Sequence, residues 1–187
     1  MLDLSSKSDI RVAIVSDTHC FIDPRIVETI QGCELALHAG DIGKKHILET
    51  LKQACGLVVC VRGNNDMEAT WSDDEQDVIS QIKITEKIGL PGGVIALEHG
   101  EHHGFHTPSH DSLREKFSDA KMIVYGHTHQ KVVDRFAYPW VVNPGAAGRT
   151  RTRGGASCLI LTASSSAEWA IEKIRFVDGG GVFREVA

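Results

Sequence analysis

The sequence predicts a sheet-rich α/β fold: two packed β-sheets with helices on the outside. Three observations carry this. Short apolar runs alternate with amphipathic stretches through the first half, which is the pattern of βα units. The last third is almost entirely strand-like runs, KVVDRF, WVVNPG, SCLILTAS and AEWAIEKIRFV. No repeat, low-complexity tract or linker interrupts the 187 residues, a length suited to one domain spanning 1–187.

The elements follow in order. Residues 1–9, MLDLSSKSD, are polar and read as a ragged leader without the apolar core of a signal peptide. RVAIVSD (11–17) is the first buried strand. DPRIVETIQ follows as a helix, with Asp23 as N-cap and Pro24 at its first position. LALHAGD (35–41) is the next strand. Residues 44–54 form a helix with Ile47, Leu48 and Leu51 on one face. LVVCVRGNND (57–66) is a strand running into a Gly-Asn turn. The acidic stretch 67–77 is expected to face solvent, and VISQIKITEKIGL (78–90) alternates as a strand. GGVIALEHG (92–100) is another strand. A helix is expected over 108–117, capped by Thr107 and started by Pro108. AKMIVYGHTH (120–129) closes the series of βα units. GAAGRTRTRGG (145–155), with three arginines, is the most loop-like segment and reads as a flexible, solvated surface loop.

Composition narrows the function classes. With 25 acidic and 20 basic residues the chain carries −5, against the basic surface that coating a nucleic acid requires. No apolar run approaches the roughly 20 residues of a membrane span. Five widely spaced cysteines without a C-x-x-C read as free thiols in a reducing compartment, so the cytoplasm is the expected address.

The chemistry sits at the ends of the apolar runs. One ends in SDTH (Asp17, His19), the next in AGD (Asp41), the third in RGNND (Asn64), a later one in EHG (His99), and another in GHTH (His127, His129). Ligand sites in open α/β folds form at the carboxyl ends of strands. A lone histidine after an apolar run is ordinarily a core residue. Five runs ending this way are different, because burying seven polar side chains together costs several kcal/mol unless a cation joins them. In D-x-H and H-x-H, residues two apart on an extended backbone point to the same side.

As an ordered set these motifs resemble those of the calcineurin-like metallophosphoesterases. The short length and Asn143-Pro144-Gly145 after GHTH resemble the small YfcE-like phosphodiesterases. The resemblance runs from about Arg11 to Ile160. It implies a four-layer αββα sandwich of two mixed sheets flanked by helices. It implies two divalent ions, Mn²⁺ first, with Fe, Ni, Co or Zn as alternatives. One ion would be held by Asp17, His19, Asp41 and His129, the other by Asp41, Asn64, His99 and His127. Four imidazoles, two carboxylates and an amide suit such metals; Ca²⁺ prefers oxygen ligands alone. The expected reaction is hydrolysis of a small phosphoester by a metal-bridging hydroxide. Two ions, two carboxylates and a hydroxide leave the site near +1, fit for an anion.

The chain departs from the pattern at two places. Many relatives carry a leaving-group histidine after the motif's asparagine; here Asn65 stands there and can bind a phosphate oxygen but donates no proton to an alkoxide. That favours diesters with good leaving groups. Where relatives read H-G-H, this chain has Glu101, His102 and His103, of which His102 and His103 are candidates for substrate contact. Two other readings remain open: a partner-binding scaffold, as in the retromer subunit of this fold, and another dinuclear hydrolase. Apolar strands such as WVV or LIL, if at sheet edges, would allow a homo-oligomer.

Overall fold

The structure, a computed structural model, describes residues 1–104, 106–177 and 179–187. Two six-stranded mixed sheets form the middle of the molecule. In spatial order the first holds β1 (Leu2–Asp3), β5 (Thr85–Leu90), β6 (Gly93–Glu98), β7 (Met122–Val124), β9 (Trp140–Pro144) and β8 (Lys131–Asp134). The second holds β12 (Val182–Val186), β11 (Ala170–Phe176), β10 (Ser157–Ser164), β2 (Asp9–Val15), β3 (Leu35–His38) and β4 (Leu57–Cys60).

Alternation along the strands builds the layers. Val12 and Ile14 of β2 and Leu35 and Leu37 of β3 point into the space between the sheets. There they meet Ile95, Leu97, Met122, Val124 and Trp140 of the first sheet. Ala13, Val15 and Ala36, one residue out of step, face the other way, onto Ile26 and Ile30 of α1 (Pro24–Ile30) and Ile47 and Leu51 of α2 (Lys45–Cys55). On the far side Ala96, Ile123 and Val141 are covered by Leu113 of α4 (His110–Lys116) and by Phe117. The result is the expected αββα sandwich. Strands buried on both faces read as unbroken apolar runs for this reason.

Within the second sheet β2, β3 and β4 run parallel; within the first, β6, β7 and β9 do. The loops that carry the metal-capable residues leave the carboxyl ends of β2, β3, β4, β6 and β7. Two bonds hold these ends together: across the sandwich His99 Nδ1 donates to Ala39 O at 2.7 Å, and within the first sheet Gly126 N donates to His99 O at 3.0 Å.

Several local expectations change. Residues 76–81 lie in helix α3 (Gln76–Gln81), which takes the start of the expected 78–90 strand, and only Thr85–Leu90 is strand. The deciding signal is a capping box: Ser72 and Glu75 bond each other's backbone amides. The acidic stretch is not simply solvated, since Trp71 and Glu75 are buried. Ser109, not Thr107, caps α4, accepting from Ser112 N. The leader carries β1, which pairs in parallel with β5. Trp140–Val142 and Leu159–Leu161 lie in internal strands, so they are core and offer no edge for subunit pairing. Strand β12 has no counterpart among the expected elements. It returns antiparallel to β11 after a turn closed by Val177 N donating to Gly181 O.

Candidate metal centre

The strand-end loops adopt a backbone that L-residues rarely take. Among the described residues, eight other than glycine have φ in the left-handed region; five are Asp17, His19, Asp41, His127 and His129, with φ of 53, 44, 56, 67 and 57°. Holding side chains this way costs on the order of 1 kcal/mol or more each and needs support from the surroundings. That support is visible. Asp17 N donates to Gly40 O, and His19 N to Asp41 O. Asp66, buried at the end of the RGNND turn, accepts from the amides of Ile42, Gly43 and Gly63, so one carboxylate ties the Asp41 loop to the Asn64 loop. Asn143 donates to Gly126 O at 2.6 Å and accepts from Gly145 N at 2.8 Å, bracing the GHTH turn. His38 is fully buried. Burial pushes its pKa down to about 4, so it is neutral, and its Nε2 pairs with Thr18 Oγ1 at 2.9 Å.

Asp17, His19 and His129 present ligand atoms mutually within 4.8 Å, as do Asp17, Asp41 and His99. Asp41 Oδ2 is 3.6 Å from His19 Nε2 and 3.5 Å from His99 Nε2, so one carboxylate reaches both groups. Asn64 Oδ1 lies 2.9 Å from His127 Nδ1, and both line the same cavity as Asp41. All seven residues named from the strand ends are therefore brought to one end of the sandwich.

Their hydrogen bonds show what the cluster lacks. His129 Nδ1 donates to Thr150 O at 2.7 Å, and its Nε2 accepts from Arg151 at 3.0 Å, so Nε2 carries a lone pair. That nitrogen lies 3.2 Å from Asp17 Oδ1. The short distance joins two acceptors and so gives Asp17 Oδ1 no hydrogen bond; neither carboxylate oxygen of the fully buried Asp17 has a partner. His99 Nε2 is likewise buried without one. Buried polar atoms left unmatched around a common point are costly, and a cation at that point removes the cost.

The charges agree. Burial opposes a charge on His99. The Asp41 carboxylate 3.5 Å from Nε2 and the charge of Asp17 win, lifting its pKa to about 9. Burial also disfavours ionised Asp41, yet the neighbouring His99 imidazole and the hydrogen bonds from Asn65 hold its carboxyl well below the usual range. His19 is pushed down, mainly by burial. The cluster calls for positive charge: a proton on His99 answers part of that call, and a bound cation would take the proton's place. The donor set fits divalent transition metals.

The other candidates separate. Asn65 is at the site, with its backbone and side-chain amides donating to Asp41 at 2.9 and 2.7 Å; it orients the carboxylate. His103 is nearly buried away from the cavity, its ring between Ser112 Oγ at 2.7 Å and Glu98 Oε1 at 2.8 Å. His102 is largely exposed beside Glu101. Neither lines the cavity of about 170 Å³ above Asp41, whereas His106, Arg151 and Arg153 do. The expected free surface loop 145–155 is pinned to the site through Thr150 O. No spacing rule in the sequence flags this. The clue lay in its arginines, read as solvated.

The pattern of the calcineurin-like phosphoesterase superfamily domain matches residues 10–166. This chain belongs to that superfamily. Its relatives include a protein named phosphodiesterase MJ0936 of Methanocaldococcus jannaschii, 26% identical over 146 residues, covering 72% of this chain and 82% of that one. Among solved structures, the phosphoesterase YfcE of E. coli superposes with a TM-score of 0.65 at 18% identity, covering 95% and 98% of the two chains. Vps29 of Entamoeba histolytica complexed with Zn²⁺ gives 0.76 at 19% identity, over 95% and 98%. At these identities the structural matches speak for the fold alone.

Proposed function

We propose that this calcineurin-like phosphoesterase is a dinuclear, metal-dependent phosphodiesterase. The observation that supports it best is the buried meeting of acceptors at Asp17, His99 and His129. When bound, two divalent ions would polarise the phosphate and supply an ionised water as nucleophile. The rest falls to the protein. Asp17, His19 and His129 would hold one ion and His99, Asn64 and His127 the other, with Asp41 in reach of both groups. Asn65 fixes Asp41 through two hydrogen bonds. Since Asn65 has no proton to give a departing alkoxide, esters with good leaving groups are favoured. Mn²⁺ is the first choice of metal, and a small phosphoester the substrate.

The match to Vps29 keeps a partner-binding role as the second reading; all seven ligand types being present weighs for catalysis. Purified protein stripped with EDTA and reloaded with Mn²⁺ should regain hydrolysis of bis(p-nitrophenyl) phosphate, with p-nitrophenyl acetate untouched. A protein holding two ions per chain yet inert on every phosphoester tried would favour the scaffold.

A further inference from the structure

We infer that Arg151 and Arg153 clamp a second anionic group on the substrate, beside the reacting phosphate. The inference rests on the phosphodiesterase reading and narrows it to esters bearing more than one negative charge.

Four observations converge. Arg151 and Arg153 line the cavity over Asp41, next to Thr128, between the two histidines of the GHTH turn. Apart from Cys20 and the five cluster residues, they are the described non-glycine residues with left-handed backbone, φ 49 and 47°. Two arginines with a single residue between them are thus both held off the ordinary path, at the mouth of the site. Their heads are directed by the turn itself: Arg151 Nη2 donates to His129 Nε2 at 3.0 Å, and Arg153 Nε to Thr128 O at 3.2 Å. Among the described residues neither makes an ion pair with a carboxylate, although the chain has an excess of acid.

The acceptor that Arg151 uses is a metal-ligand nitrogen. A cation at His129 Nε2 takes that lone pair, and the guanidinium must turn to another acceptor at the same cavity. A guanidinium presents its donors as a planar fork that matches phosphate or carboxylate oxygens. Adding two arginines to a loaded centre near +1 brings the cavity to about +3. A simple diester offers one negative charge and leaves most of this unanswered. A substrate with a further phosphate answers it. Arg149, in the same loop, serves as an internal contrast: it lies over the Phe21 ring at 3.6 Å and does not line the cavity.

The test uses Mn²⁺-loaded protein, with metal content checked by elemental analysis, and the variants R151A, R153A and R149A, which lose equal charge. Calorimetry compares thymidine 3′,5′-bisphosphate with thymidine 5′-phosphate. The wild type should bind the bisphosphate about tenfold or more tightly, as charged hydrogen bonds imply. R151A and R153A should erase that preference and R149A keep it. In kinetics, thymidine 5′-(p-nitrophenyl phosphate) and its 3′-phosphorylated form should differ in KM in the wild type and converge in R151A and R153A. Equal losses in R149A, or an unchanged preference in R151A and R153A, would overturn the clamp. Protein that cleaves no diester yet binds the bisphosphate through these arginines would uphold the clamp and sink the catalytic reading. Diester cleavage with no bisphosphate preference would do the reverse.

Discussion

Replacing Asp17 by Asn should stabilise the metal-free protein and destabilise it relative to wild type once metal is present. Asp17 is fully buried, and neither of its oxygens has a hydrogen-bond donor. Its Oδ1 faces the lone pair of His129 Nε2 at 3.2 Å. An isosteric amide can turn its NH2 toward that nitrogen, sharing the lone pair with Arg151, and so ends the contact between two acceptors. The relief is the penalty of an unsatisfied buried polar group, about 1–3 kcal/mol. For a chain of this size each kcal/mol moves Tm by about 2–4 °C. In EDTA at pH 8 the variant should therefore melt roughly 2–12 °C above wild type. Metal reverses the order. At a hundred times its Kd, one ion adds about 2.7 kcal/mol to a protein that binds it, and the variant forfeits most of this. Scanning calorimetry with EDTA and then with Mn²⁺ reads both signs. An Asp17→Asn variant less stable than wild type in EDTA would mean that Asp17 is satisfied in the fold by itself, and the argument for a cation there would collapse.

Two further outcomes follow from packing and from ionisation. Gly63→Ala leaves every ligand in place, but its Cβ would lie 2.8 Å from Asp41 Cγ and closer still to Asp41 Oδ1 and N. Backbone shifts of this kind displace Asp41, so metal content and activity should fall about 100-fold or more while the far-UV spectrum stays native; retention of both would show that Asp41 is not held where it acts. Glu75 accepts from Lys45 N, Ser72 and Lys44. Burial opposes its charge, but these bonds outweigh it and bring its pKa to about 2 from an ordinary 4.5. A depressed folded-state pKa gives stability that is complete above 4.5 and lost as pH falls toward 2. Glu75→Gln should thus cost about 1–3 kcal/mol near pH 7, and the difference in Tm should shrink below pH 4.5; a gap constant with pH would contradict the assignment.

The order of layers and the metal-capable residues were legible in the chain because both rest on local patterns. Unbroken apolar runs such as RVAIV and KMIVY mark strands buried on two faces, and the polar residues just beyond them had to emerge at strand ends. Asp23-Pro24 set the start of α1 by itself. Short elements were harder. Residues 76–81 carry apolar side chains that suit either period, and only the Ser72–Glu75 bonds decided for a helix. At the 145–155 loop the sequence shows charge but not direction. His129 reaches across 21 residues to Thr150 O, and that contact turns Arg151 and Arg153 toward the cavity. Likewise nothing in the spacing of Asp66 told that it would bind three amides from two loops. By itself the sequence determined which side chains are offered and on which strands, since periodicity and residue chemistry act over a few positions. The tertiary structure alone decided which of them meet, that Asp41 lies between His19 and His99, and that His106 rather than His102 or His103 faces the cavity. Those facts depend on how separate loops pack, and packing distances are not encoded in any one stretch of chain.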